Sequence, residues 1–158
     1  MNCDEFEALF RGNIRVLFDW TLLRSANYPV RPRLLRHPTE WSAWLTPWYA
    51  AGDAGEDYLR GEAPLRFSAV AENPGVLTAR RQEKLRAIAA DLRRSPHALL
   101  VAAYDYGAGT IVLDGNHRLA AAIAFGGEQP ALAITVSGPA DPAILPDLAN
   151  VPGRRPVS

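Results

Sequence analysis

The stretch Thr110-Ile111-Val112-Leu113-Asp114-Gly115-Asn116-His117-Arg118-Leu119-Ala120-Ala121-Ala122 decides the reading of this chain. Thr110 to Leu113 is a β-branched, apolar run and reads as a strand. Asp114-Gly115 reads as a tight turn, because glycine reaches backbone conformations closed to other residues. A helix is expected from about His117 to Phe125, ended by Gly126-Gly127 as a C-terminal cap. Its small residues, Ala120 to Ala122 and Ala124, let it lie close to a sheet. In such a strand–turn–helix unit the N–H groups of the first helical turn lack intrahelical partners, and the helix dipole adds about half a positive charge there. That end attracts anions. Arg118 can grip a phosphate through two parallel hydrogen bonds, and His117 lies on the same turn. Asp114 would be repelled by phosphate, so its work at such a site is to hold a magnesium ion, orient His117 or act on a substrate proton. The plain alternative is an Asp-Gly turn, an Asn116 cap and an arginine facing water.

The neighbouring sequence has α/β texture from residue 64 to 137. Leu99 to Tyr104 reads as a strand, and Asp105 to Gly109 turns it into Thr110 to Leu113 as a β-hairpin. Ala131 to Val136 is a further strand. Thr78 to Arg94 is the strongest helix, with Leu85, Ile88, Ala89 and Leu92 on one face and Arg80, Arg81, Lys84, Arg86 and Arg93 mostly opposite. Leu65 to Val70 alternates like a strand, and Asn73-Pro74-Gly75 follows as a turn.

Residues 1 to 63 read as an aromatic-rich helical extension on that domain. Phe6, Leu9, Phe10, Ile14, Leu17, Phe18 and Leu22 recur at helical spacing, which predicts one helix from Asp4, its N-cap, to about Arg24. Pro29, Pro32 and Pro38 predict an irregular crossing segment. Thr39 precedes a short helix in which Trp41, Trp44 and Trp48 share one face. Core packing is the expected role of that face, a partner or base-stacking surface the alternative. Another short helical stretch is expected near Glu56 to Arg60. Residues 138 to 158 are proline-rich, with one turn around Pro142 to Leu148, and are expected at the surface.

Lys+Arg and Asp+Glu both number 17, so the net charge gives no support to a nucleic-acid partner, although Arg31, Arg33 and Arg36 form a local basic group. The one cysteine, Cys3, excludes an internal disulfide and a cysteine-based zinc site. No apolar run reaches the length of a membrane span, and the acidic start does not resemble a secretory signal. A cytoplasmic location without membrane contact is the expectation.

Leu113-Asp114-Gly115-Asn116-His117-Arg118-Leu119-Ala120-Ala121 resembles the box of the ParB/sulfiredoxin superfamily, where a Gly-x-His-Arg or Gly-Glu-Arg-Arg sequence joins a strand to an alanine-rich helix. The order of elements from about residue 64 to 137 is similar too. The resemblance implies an α/β (α+β) fold with a small mixed sheet flanked by helices. It also implies that Gly115, Asn116, His117 and Arg118 hold the phosphates of ATP or CTP, helped by Arg81 and by Arg80 and Lys84 beside it; a solvated helix face is the ordinary role of those three. Sulfiredoxins carry a cysteine within the box; Asn116 stands there, so that chemistry is not expected. Partition proteins carry a helix-turn-helix domain after the box, which the proline-rich stretch after Ser137 does not resemble. The Asp-Gly-x-His-Arg form looks more like the kinase-like branch. There an acidic residue after the first strand acts on the substrate, and Glu72 is the matching position; a solvated turn carboxylate is its ordinary role. The function expected is a nucleoside-triphosphate-dependent phosphotransferase or hydrolase. Asp114, His117 and Glu72 would be its catalytic groups, Asp114 its Mg2+ ligand, and a small molecule or macromolecule its acceptor. The alternatives are a nucleotide-responsive module without turnover and a nuclease-like or toxin-like effector.

Overall fold

In the computed structural model, which describes residues 1–50, 61–125 and 129–155, the chain has an α+β fold. Four strands form one mixed sheet: β1 (Val30–Leu35), β2 (Leu99–Asp105), β3 (Thr110–Asp114) and β4 (Ala131–Ser137), in the order β1-β4-β2-β3. The β1–β4 and β2–β3 pairs are antiparallel and the central β2–β4 pair is parallel. Among the described residues five α-helices surround it: α1 (Cys3–Phe10), α2 (Trp20–Ala26), α3 (Phe67–Glu72), α4 (Ala79–Arg94) and α5 (Asn116–Phe125). Among the described residues no helix is long and apolar enough to cross a membrane.

Both sheet faces are covered, which explains why β2, β3 and β4 read as nearly continuous apolar runs. Val101, Ala103, Val112, Ala131 and Ala133 point to one core with Trp41, Phe67, Leu85 and Leu119. Ala102, Tyr104, Ile111, Ile134 and Val136 point to a second core with Phe6, Phe10 and Leu23. The second core also takes in Ile144, Leu145, Leu148 and Val151. The expected surface tail is therefore a structural layer. Tyr104 and Tyr106 fasten it by donating their hydroxyls to the carbonyls of Pro139 and Pro152, at 2.9 and 3.1 Å.

Several expected elements take another form. The single helix from Asp4 to Arg24 is two helices. Asn2, not Asp4, caps the first, in a reciprocal capping box with Glu5, and Asp19 caps the second by accepting from the Leu22 N–H. Leu65 to Val70 is mostly helix α3 rather than a strand, with Phe67 and Val70 one turn apart on its buried side. The irregular segment with Pro32 contains strand β1. Ser137 N–H donates to Pro29 C=O in the same register, so the alternation turns the nitrogen of Pro32 toward the open edge, where no donor is needed. The 1–63 segment thus supplies a strand of the main sheet.

Trp41 ends a short 3-10 helix, Pro38–Trp41, and the chain turns through Ser42 and Ala43, Trp44 N–H donating back to Trp41 C=O, before Leu45 bridges to β3. Leu45 N–H donates to Thr110 C=O, and Val112 N–H to Leu45 C=O, which covers the outer edge of β3. Trp41, Trp44 and Trp48 are 0%, 7% and 5% exposed. They are core residues without a common helical face, and the partner or base-stacking surface is ruled out by burial. The helical stretch expected near Glu56 to Arg60 and the Gly126-Gly127 cap lie outside the described residues.

Candidate functional site

Strand β3 ends at Asp114, and Gly115 turns the chain with φ +92°. A Cβ at Gly115 would stand 2.4 Å from Val101 Cγ1, so both the backbone and the close approach to β2 require glycine. Leu119 N–H donates to Gly115 C=O as the first helical bond of α5. The N–H groups of Asn116, His117 and Arg118 thus open the helix without intrahelical acceptors.

The side chains of this turn divide their work. Asn116 is buried; its Nδ2 donates to Val112 C=O at 3.2 Å, and its Oδ1 has no partner among the described residues. It faces the protein, so a ligand can use its backbone N–H but not its amide. Arg118 donates from Nη2 to Leu100 C=O at 2.9 Å. Asp114 is the last β3 residue paired with β2, opposite Ala102, while β2 extends back to Leu99. The guanidinium therefore occupies the slot that β3 vacates and satisfies a strand-edge carbonyl. It also lies 3.7 Å from Asp114 Oδ2; the side chains are 37% and 19% exposed. Part of Arg118 is structural, and its outward nitrogens remain accessible.

His117 and Arg81 meet at a residue the sequence assigned to the core. The His117 and Trp48 ring centroids are 4.8 Å apart at 54°, and the Arg81 guanidinium carbon is 4.8 Å from the Trp48 ring centroid. Trp48 thus links the start of α4 to the start of α5. Thr78 caps α4 by accepting from the Arg81 N–H. Near the end of α4 Arg93 donates to the C=O of Phe125, the last described residue of α5, at 2.8 Å, and from the middle of α4 the Arg86 guanidinium lies 5.6 Å from the Phe125 ring. The two helices therefore run in the same sense, and the positive ends of both dipoles converge near Trp48.

Glu72 does not join this group. It ends α3 rather than following a strand, is exposed, and makes no hydrogen bond or ion pair with Asp114, His117, Arg118 or Arg81. Among the described residues no three His, Cys, Asp or Glu side chains cluster to hold a metal. A magnesium ion carried by phosphates needs only one or two protein carboxylates, and Asp114, partly exposed beside the turn, fits that smaller demand. A cavity of about 360 Å³ lies elsewhere, at the β2–β3 hairpin, lined by Tyr106, Gly107, Ala108, Pro139, Ala140 and Arg155.

Trp48 is the component the sequence reading missed as a site residue. Its spacing from Trp41 and Trp44 suggested a helix face, and nothing local pairs it with residues 81 and 117. No protein-family model matches the chain, and no curated protein or solved structure matches it.

Proposed function

We propose that the chain binds a nucleoside triphosphate, ATP or CTP, where α4 and α5 begin, and catalyses phosphoryl transfer or hydrolysis, like the ParB/sulfiredoxin-like proteins its box resembles. The observation that carries this reading is the meeting of Arg81 and His117 on Trp48 beside the open N–H groups of α5. A guanidinium, an imidazole and backbone amides that lack intrahelical acceptors, brought together from distant sequence, suit a ligand with several phosphate oxygens. In phosphoryl transfer the transition-state charge spreads over such oxygens, and catalysis is mostly positioning and neutralisation. Arg81, the outward nitrogens of Arg118 and the α5 amides would hold the phosphates. His117 would exchange a proton with the attacking or leaving oxygen, and Asp114 would take the magnesium. Bound magnesium supplies further charge neutralisation. Glu72, exposed at the end of α3 and without a described bond to these groups, is given no role in this reading.

A melting-temperature screen with ATP, CTP, GTP and UTP, with and without magnesium, tests it. A ligand at a hundred times its Kd stabilises a fold by about 2.7 kcal/mol. The shift should vanish in Arg81→Ala; a chain that responds to none of the four nucleotides does not have this function. The second reading is a nucleotide-responsive module without turnover. The commitment of Arg118 to Leu100 and Asp114 favours it, since part of the box is used to build the fold. Binding with neither phosphate release nor transfer selects that reading.

A further inference from the structure

A second concave site lies where the β2–β3 hairpin meets the C-terminal layer. The cavity there holds about 360 Å³, at the small end of the ~300–1,000 Å³ typical of small-molecule pockets. Tyr106, Ala108, Pro139 and Ala140 give it an apolar wall. Tyr106 is 8% exposed, and its hydroxyl donates to the Pro152 carbonyl, which fixes the ring. Gly153 brings the C-terminal layer against the hairpin: a Cβ there would stand 2.8 Å from Ala108 Cβ, and its φ is +72°.

The charge of this wall is one-sided. The exposed Arg155 lines the cavity and makes no hydrogen bond or ion pair among the described residues. Its neighbour Arg154 is engaged with the Ala149 carbonyl at 3.0 Å. Among the described residues no carboxylate lines the cavity. The flanking ones, Asp105 and Asp141, accept from the N–H groups of Gly107 and Ala143 at 2.8 and 2.9 Å. Three wall residues, Ala108, Ala140 and Gly153, keep backbone N–H groups that are donated to no described acceptor. An uncommitted guanidinium and spare amides around an apolar hollow ask for an anion that carries an apolar body.

We propose that this cavity binds a compact monocarboxylate with an aromatic body. The Arg155 guanidinium takes the carboxylate through two parallel hydrogen bonds, and the body lies against the Tyr106 ring and the small side chains beside it. One uncommitted cation suits a single negative charge. A neutral ligand leaves that cation without a counter-charge, and a nucleoside triphosphate brings more charge and bulk than the space accepts. The cavity is separate from the start of α4 and α5, so this assignment stands whether or not a nucleotide binds there.

Titration of the full chain with sodium benzoate at constant ionic strength, followed in amide N–H correlation spectra, tests this. Benzoate should give saturable shifts at Gly107, Ala108, Ala140 and Gly153 and leave His117 and Arg118 unmoved. Benzamide, which has the shape without the charge, should bind about tenfold more weakly or worse, and Arg155→Gln should weaken benzoate to a similar degree. Arg155→Lys should retain part of the affinity, since it keeps the charge and loses the fork. Arg155→Gln should melt with the parent, because the side chain holds nothing in the free protein. Ala108→Phe, which fills the hollow from an exposed turn position, should abolish binding and leave the spectrum of a folded chain. Absence of saturable shifts, shifts confined to other residues, equal binding of benzamide, equal binding by Arg155→Gln, or tighter binding of phenyl phosphate than of benzoate overturns the proposal.

Discussion

The guanidinium carbon of Arg81 stands 4.8 Å from the ring centroid of Trp48. This relationship joins the first turn of α4 to a chain segment that otherwise belongs to the core, and through the His117 contact it reaches α5. A cation over an indole face gains about 0.5–2 kcal/mol, depending on how dry the contact is. That is small against the stability of a domain, and it helps to orient the guanidinium against the ring.

Trp48→Phe should keep an aromatic face and most of the response to nucleotide, while Trp48→Leu should lose that response. Trp48→Leu also removes buried surface and should lower stability by up to about 3 kcal/mol, below the range for full truncation to alanine. Melting with and without nucleotide separates the two effects. Equal responses from both variants would show that the ring positions nothing.

Gly115→Ala should be among the most damaging single-methyl changes in the chain. The left-handed backbone penalises any side chain, and the new Cβ overlaps Val101. Together these cost about 2–5 kcal/mol. Urea denaturation should show the midpoint fall, and Val101→Ala in the same chain should recover the overlap but not the backbone strain. An unchanged midpoint in Gly115→Ala would refute the argument.

Glu7 is buried between Arg11 and Arg24 and ties α1 to α2, its Oε2 accepting from Arg24 Nη1 at 2.8 Å. Both arginines are substantially exposed, so solvent screens much of the attraction. Glu7→Gln should therefore cost only about 1–2 kcal/mol, with the loss shrinking in high salt. A loss independent of salt would point to packing instead.

Asp147 is 6% exposed and accepts from the Tyr49 hydroxyl at 2.7 Å. Burial raises its pKa, and the Tyr49 hydrogen bond opposes that only in part. The folded state therefore holds this proton more tightly than the unfolded state does. The contribution is fully present below the unfolded pKa, about 3.9, and is lost as pH rises through the higher folded value. Asp147→Asn keeps an acceptor for Tyr49 without the buried charge. It should raise the melting temperature at pH 7 and change little near pH 4; a lower melting temperature at pH 7 would contradict this.

The legible parts of the fold were those whose periods are long or whose turns are explicit. The β2–β3 hairpin, α4 with its Thr78 cap, α5 and β4 all follow from such patterns. Leu65 to Val70 was ambiguous because six residues cannot separate a period of two from one of 3.6; tertiary burial of Phe67 and Val70 decided for helix. Pro32 hid strand β1, since a proline is tolerated only where its nitrogen faces an open edge, and edges are not visible locally. Prolines also masked the apolar pattern of Ile144, Leu145, Leu148 and Val151, which anchor the tail in the second core. At the site, the box was readable as a turn before a helix. The partnership of Trp48 with residues 81 and 117 was not, because it depends on how α4 and α5 lie together.

The pairing of Val30 with Val136 has a consequence for biogenesis. Strand β1 leaves the ribosome well before β4, its neighbour in the sheet, which is translated only after β2, β3 and all five described α-helices. Until then Phe6, Phe10 and Leu23 have no finished surface to settle on, and the C-terminal residues that share their core are later still. A nascent chain of this design should hold α1 and α2 open to chaperones and proteases until β4 and the residues through Val151 have emerged, then close in one step that brings residues 3–35 onto residues 131–151.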